Sequence, residues 1–78
     1  MREKTFRSVI TFETTAAAIA MEKLCMDRGL PGRLIPVPRA ITANCGMAWS
    51  APPEAEKSVL AAAREAGLFW DRVYTLLL

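Results

Sequence analysis

Cys25 and Cys45 carry the most nucleophilic side chains in this chain of 78 residues, which contains no histidine. Without histidine, one chain holds no Ser-His-Asp triad, no Cys-His pair and no imidazole-bound metal. Two thiols also fall short of the four ligands that a structural zinc ion or an iron–sulfur cluster needs. We therefore expect no metal, no cofactor and a role other than that of an enzyme.

Cys45 lies in the segment Thr42-Ala43-Asn44-Cys45-Gly46, between two predicted strands and near the predicted start of the first helix. The helix dipole, free backbone N–H groups and the charge of Arg39 would each favour the thiolate, which is the reactive form of cysteine. Gly46 would let a substrate or partner approach the backbone closely. The alternative stays open, because a cysteine before an apolar strand also serves as a small buried side chain.

Cys25 is predicted to be a core residue on the inner side of the first helix. It lies about ten residues, and so roughly 15 Å, along the helix axis from the residues that begin it. A disulfide requires Cα atoms within about 7 Å of each other. We therefore expect no Cys25–Cys45 disulfide within one chain.

The remaining sequence predicts six short elements in the order βαββαβ. Alternating β-branched and aromatic residues indicate a strand over 6–12, and similar signals indicate strands over 32–37, 46–50 and 69–77. Thr14 or Thr15 caps a first helix that ends at Gly29, and Pro52-Pro53-Glu54 opens a second that ends at Gly67. The predicted inner faces of the two helices are Ala17, Ala20, Met21, Leu24 and Cys25, and then Ala55, Val59, Ala62, Ala63 and Ala66.

This order predicts an α+β, ferredoxin-like fold, in which two helices cover one face of a four-stranded antiparallel sheet. We expect residues 1–78 to form a single domain. In the usual strand order, 4-1-3-2, the second strand lies at an edge, which suits Pro36 because proline cannot donate to a strand ladder. The stiff segment 35–39 serves either as a rigid arm that places Arg39 or as an edge protected from pairing.

Charge and hydropathy narrow the classes of partner. Ten basic and eight acidic residues leave a net charge of +2, too small and too dispersed to predict a nucleic-acid surface. No apolar run reaches the ~18 residues of a membrane span, so we expect a soluble cytoplasmic protein. Apolar residues on the uncovered sheet face (Trp70, Tyr74 and Leu76) and outward on the first helix (Ile19 and Met26) favour a homodimer.

The segment Leu34-Ile35-Pro36-Val37-Pro38-Arg39, followed by Cys45-Gly46, resembles a family of short bacterial selenium/sulfur carrier-like proteins. The resemblance covers most of the chain, from Thr11-Phe12 to the closing strand. It implies a cytoplasmic carrier that holds sulfur or selenium on Cys45 as a persulfide or selenosulfide. The implied partners are a donor such as a cysteine desulfurase and an acceptor protein.

Supporting roles follow from the residue types around the thiol. Arg39, Thr42, Asn44 and backbone N–H groups are candidates to stabilise the outer sulfur atom. Two other functions remain open from the residues alone. One is a non-catalytic interaction or regulatory module that dimerises or binds a small ligand, with a structural Cys45. The other is redox sensing through a disulfide between chains.

Overall fold

The computed structural model describes residues 4–41 and 46–78 and confirms the predicted order of elements. One four-stranded sheet with the order β2-β3-β1-β4 is antiparallel throughout, and the two helices pack on one of its faces. The chain therefore has the ferredoxin-like α+β fold. The elements are β1 (Phe6–Thr11), α1 (Thr15–Arg28), β2 (Arg33–Pro36), β3 (Met47–Ala51), α2 (Glu56–Glu65) and β4 (Val73–Leu77).

Both predicted ends of α1 are confirmed. Thr14 has an extended backbone, and its hydroxyl accepts a hydrogen bond from Ala17 N at 3.1 Å. Gly29 closes the helix in the left-handed conformation with φ 67°, which costs glycine little because it has no Cβ. The side chains that α1 buries are Ala18, Met21 and Cys25. Ala20 was predicted on this face but is exposed, because the buried row follows the positions i, i+3 and i+7 from Ala18.

The second helix begins later than the prolines suggest. Pro53–Ala55 form one 3-10 turn, and α2 follows from Glu56. Its buried face contains Val59, Ala62 and Ala63, as predicted. Ala66 was predicted to share that face but is exposed, because it lies beyond the last helical residue.

The last strand is shorter than predicted and begins at Val73. The residues before it form the connection from α2: Phe69 is 87% exposed, while Trp70 packs against the core from the helix side. The alternation predicted that Trp70 shares the uncovered face with Tyr74 and Leu76. That prediction is wrong, because Trp70 lies on the helix side. The connection joins β1 through a hydrogen bond from Asp71 N to Thr11 O at 2.7 Å.

The two faces of the sheet follow from the strand register. Ile10 pairs with Trp49 and with Val73, and these side chains belong to the core beneath the helices. Val9 pairs with Ser50 and Tyr74, so these residues lie on the face without helices, which we call the open face. Pro36 is at the edge of the sheet in β2, as predicted.

Candidate functional site

The predicted site is only partly within the described residues. Thr42, Asn44 and Cys45 lie outside them, whereas Arg39 and Gly46 lie on either side. Arg39 is exposed and belongs to a turn in which Ile41 N donates to Pro38 O at 3.1 Å. The accessibility and surroundings of the Cys45 thiol therefore remain predictions.

Gly46 marks the point where the chain enters β3. Val37 N donates to Gly46 O at 3.0 Å, which extends the β2–β3 pairing beyond Pro36 and Met47. Gly46 has φ 76°, and a Cβ built on it would meet no atom within 4 Å. Glycine is therefore favoured here by the left-handed backbone, and the space beside this backbone is open, as an approaching partner would require.

The start of α1 lies at the same end of the sheet as Gly46. Thr11, the last residue of β1, pairs with Ala48 near the start of β3, and Thr14 caps α1 three residues after Thr11. The N–H groups of Thr15 and Ala16 precede the first residue that has an acceptor within the helix. This helix end therefore offers backbone donors and the positive end of the dipole to an anion.

A concavity of about 370 Å³ lies beside the start of α1 and includes Glu13, Thr14, Phe69 and Trp70. The Arg64 guanidinium lies 5.8 Å from the centre of the Trp70 ring, close enough for a cation–π contact. Phe69 leaves an exposed aromatic surface at the rim. The sequence did not predict this concavity, because Phe69 and Trp70 have the composition of a strand. The turn formers Gly67 and Asp71 on either side were the signal that the segment is a connection.

Cys25 has the environment of a core thiol, as predicted. Its side chain is fully buried, and its Sγ lies 3.7 Å from Met21 Sδ. Burial raises the pKa of the Cys25 thiol above the ordinary 9.0, because the thiolate loses its hydration there. At neutral pH this cysteine is protonated and inaccessible, so it is a poor nucleophile.

Neither a metal cluster nor a membrane helix is found within residues 4–41 and 46–78. No three cysteine or carboxylate side chains in this part of the chain are grouped as metal ligands would be. Neither described helix has the length and apolar character of a bilayer span.

The fold defines the class of protein as a small ferredoxin-like α+β protein, and Cys45 falls in the sequence between β2 and β3. The family described as "Putative Se/S carrier protein-like" matches residues 7–75. The chain belongs to this family. The match includes Arg39, Cys45 and Gly46. No curated protein and no solved structure matches the chain.

Proposed function

We propose that the protein is a sulfur or selenium carrier in which Cys45 holds the atom as a persulfide or a selenosulfide. The family match over residues 7–75, which contain Cys45, carries this proposal. The protein acts as a relay between a donor, such as a cysteine desulfurase, and an acceptor protein. In this role it needs one reactive thiol and a docking surface, and no turnover of a small substrate.

Transfer begins when the Cys45 thiolate attacks the terminal sulfur of a persulfide on the donor. A bond forms between Cys45 Sγ and that sulfur, and the donor's sulfur–sulfur bond breaks. The donor cysteine leaves as a thiolate and takes the electron pair of the broken bond, so no external oxidant is needed. In the second step, an acceptor thiolate attacks the outer sulfur and releases the Cys45 thiolate.

Anion stabilisation is the main task of the surrounding groups, because both the thiolate and the persulfide carry negative charge. Arg39 is exposed three residues before Thr42, where its guanidinium is available to an anion. The N–H groups of Thr15 and Ala16 supply the positive end of α1 at the same end of the sheet. Thr42 and Asn44 are proposed as further hydrogen-bond donors.

Docking through this end of the sheet is consistent with the exposed aromatic surface of Phe69 and with the concavity beside it. Interfaces between proteins are enriched in aromatic side chains at their centres. The partner would contact the segment that contains Cys45 together with Phe69. Phe69→Ala should therefore slow transfer without altering the reactivity of Cys45 towards small alkylating agents.

The test is incubation with a cysteine desulfurase and cysteine, followed by mass spectrometry without reductant. Wild type and Cys25→Ala should each gain the mass of one sulfur atom, and Cys45→Ala should gain none. Cys25→Ala is the matched control because it removes the other thiol. Repeating the experiment with a selenium donor distinguishes the two cargo atoms.

An adduct that persists in Cys45→Ala would refute the proposal. A Cys45 thiol with an ordinary pKa and slow alkylation would instead support a structural cysteine in an interaction module. A disulfide-linked dimer that forms under mild peroxide, without sulfur uptake from the donor, would support redox sensing. Each of the three functions thus predicts a different result.

A further inference from the structure

A second concavity lies at the other end of the sheet, where β1 and β2 begin and β3 ends. Its volume is about 720 Å³, within the range of ~300–1,000 Å³ typical of small-molecule sites. Thr5, Arg7, Arg33 and Ser50 supply its polar side chains, and Pro31, Ile35, Pro52 and Leu78 supply apolar walls. None of the described side chains that line it is acidic.

Ser50 in β3 holds the side chain of Arg7, which belongs to the neighbouring strand β1. Arg7 Nε donates to Ser50 Oγ at 3.1 Å, and Arg7 Nη2 donates to Ser50 O at 3.3 Å. These two bonds place the guanidinium over β3, although Arg7 itself belongs to β1. Ser50 is almost fully buried, so it is a rigid anchor for the charge. The Nη1 group of Arg7 forms neither of these bonds.

Arg33 approaches the same place from the opposite strand. Its Cα is paired with that of Ser50 in the β2–β3 ladder, a separation of about 5 Å between Cα atoms of partner residues. Both positive side chains therefore line the concavity beside Ser50, one from each side of β3. β3 separates the two strands that carry these arginines, so a single anion over β3 can accept hydrogen bonds from a guanidinium on either side.

No described acidic side chain forms an ion pair with Arg7 or Arg33; the ion pair found among the described residues joins Arg28 and Glu65. The carboxylates on the helices and the connections include Glu56, which accepts a hydrogen bond from Ser8 Oγ at 2.7 Å on the covered face. None of the described strands contains an aspartate or a glutamate. The positive charge at this concavity is therefore matched by no acidic side chain on the described strands.

We propose that this concavity binds an organic anion, with its phosphate or carboxylate group between Arg7 and Arg33. The planar fork of a guanidinium forms paired hydrogen bonds with both kinds of oxyanion, and the Ser50 hydroxyl can donate a further bond. The apolar body of the ligand lies against Ile35, Pro31 and Pro52. This site does not depend on Cys45, because Gly46 lies at the opposite end of the sheet.

The test is a titration of the full chain, followed by amide NMR at physiological salt. Phenyl phosphate and benzoate are the two anionic probes, and benzyl alcohol is the neutral control of similar shape. We expect one or both anions to shift the amides of Gly32, Arg33 and Ser50 while leaving that of Gly46 in place. The stronger of the two anions identifies the oxyanion that the site prefers.

Arg33 is exposed, and Arg33→Gln removes one of the two positive charges of the site. We expect this variant to bind the anion about tenfold or more weakly. Arg72→Gln is the matched control, because Arg72 lies beside Thr11, at the Gly46 end of the open face. It removes the same charge and should change affinity less than about twofold. Arg7→Gln should repeat the effect of Arg33→Gln, provided that its circular dichroism matches that of the wild type.

Three results would overturn the proposal. The first is equal binding of benzyl alcohol and the two anions. The second is an equal loss of affinity in Arg33→Gln and Arg72→Gln, which would indicate only the net charge of the protein. The third is binding of an acidic peptide at this face when neither small anion binds, which would make it a protein-docking surface. Sulfur uptake by Cys45 is unaffected by any of these outcomes.

Discussion

The two faces of the sheet are built in different ways. The covered face buries large side chains, including Ile10, Phe12 and Trp49, beneath two helices. The open face also buries residues at its centre, but they are small, such as Val9 and Ser50, and no described helix lies over them. Longer side chains from the neighbouring strands shield them, among them Arg7 over Ser50.

This difference assigns most of the folding stability to the covered face and leaves the open face available for recognition. Large apolar side chains that meet across the sheet and the helices contribute most of the burial energy. The side chains at the centre of the open face are small, so a depression remains between the longer side chains that flank them. At one end of the face, two of these longer side chains are arginines. A sheet with only one helical layer therefore retains a surface that carries charge and concavity without weakening the core.

Gly32→Ala should give the largest effect and tests how tightly the covered face is packed. A Cβ at position 32 would lie 2.5 Å from Trp49 Nε1 and 2.7 Å from Ser50 O, and the backbone has φ 135°. Overpacking and backbone strain together should lower the free energy of unfolding by about 4 kcal/mol. Chemical denaturation measures this loss.

Gly67→Ala is the control for Gly32→Ala. Gly67 also has a left-handed backbone, with φ 71°, but a Cβ there would meet no atom within 4 Å. Its cost should therefore be strain alone, about 1 kcal/mol. Equal losses for the two variants would show that the contact with Trp49 contributes nothing.

A pair of valine truncations compares the two faces directly. Val59 and Val9 are both fully buried, but Val59 belongs to the core cluster and Val9 lies on the open face. Val59→Ala should cost about 2.5 kcal/mol, because it loses burial and leaves a cavity. Val9→Ala should cost about 1.5 kcal/mol, because water can enter the space that it leaves. An equal or larger cost at Val9 would contradict the distinction between the faces.

Because Cys25 is buried in the covered face, the free energy of unfolding should depend on pH in the alkaline range. The pKa of Cys25 is raised by burial, so above pH 9 the unfolded chain loses the thiol proton while the folded chain keeps it. The free energy of unfolding should then fall by up to about 1.4 kcal/mol per pH unit from this group, until the pH reaches the pKa of the folded state. Urea denaturation between pH 8 and pH 10.5 should show a smaller decline in Cys25→Ala. Parallel declines in the two proteins would contradict a buried Cys25.

Thr14→Ala should give the smallest effect, because it removes one cap from α1. The hydroxyl that accepts from Ala17 N is lost, at a cost of about 1 kcal/mol in thermal denaturation. Thr14→Ser keeps an acceptor at the same place and should recover most of the loss. If Ser and Ala are equally destabilising, the cap bond does not stabilise the helix.

Most of the fold could be predicted because its signals are local. Thr14 and Gly29 mark the ends of α1 through their own backbone preferences, and Pro36 indicates an edge strand through its missing N–H. The error at Phe69 and Trp70 has a local cause as well. Aromatic residues favour strands by composition, but their positions here depend on how the α2–β4 connection packs against the core.

The candidate site was predictable only in outline. Cys45, Arg39 and Gly46 were chosen by residue type and by resemblance, and the family match supports a carrier without testing the role of any one of them. The structure adds the positions of Arg39 and Gly46 and the nearby start of α1. Of the two thiols, it describes Cys25, whose burial agrees with the amphipathic pattern of α1.

The amino-acid sequence by itself determined the order of elements, the ends of α1 and the edge position of β2, because each depends on preferences of residues close together in the chain. Tertiary structure alone decided that Arg7 and Arg33 line one concavity beside Ser50. Arg7 and Ser50 are 43 residues apart, and only the register of three paired strands brings the two charges to one place.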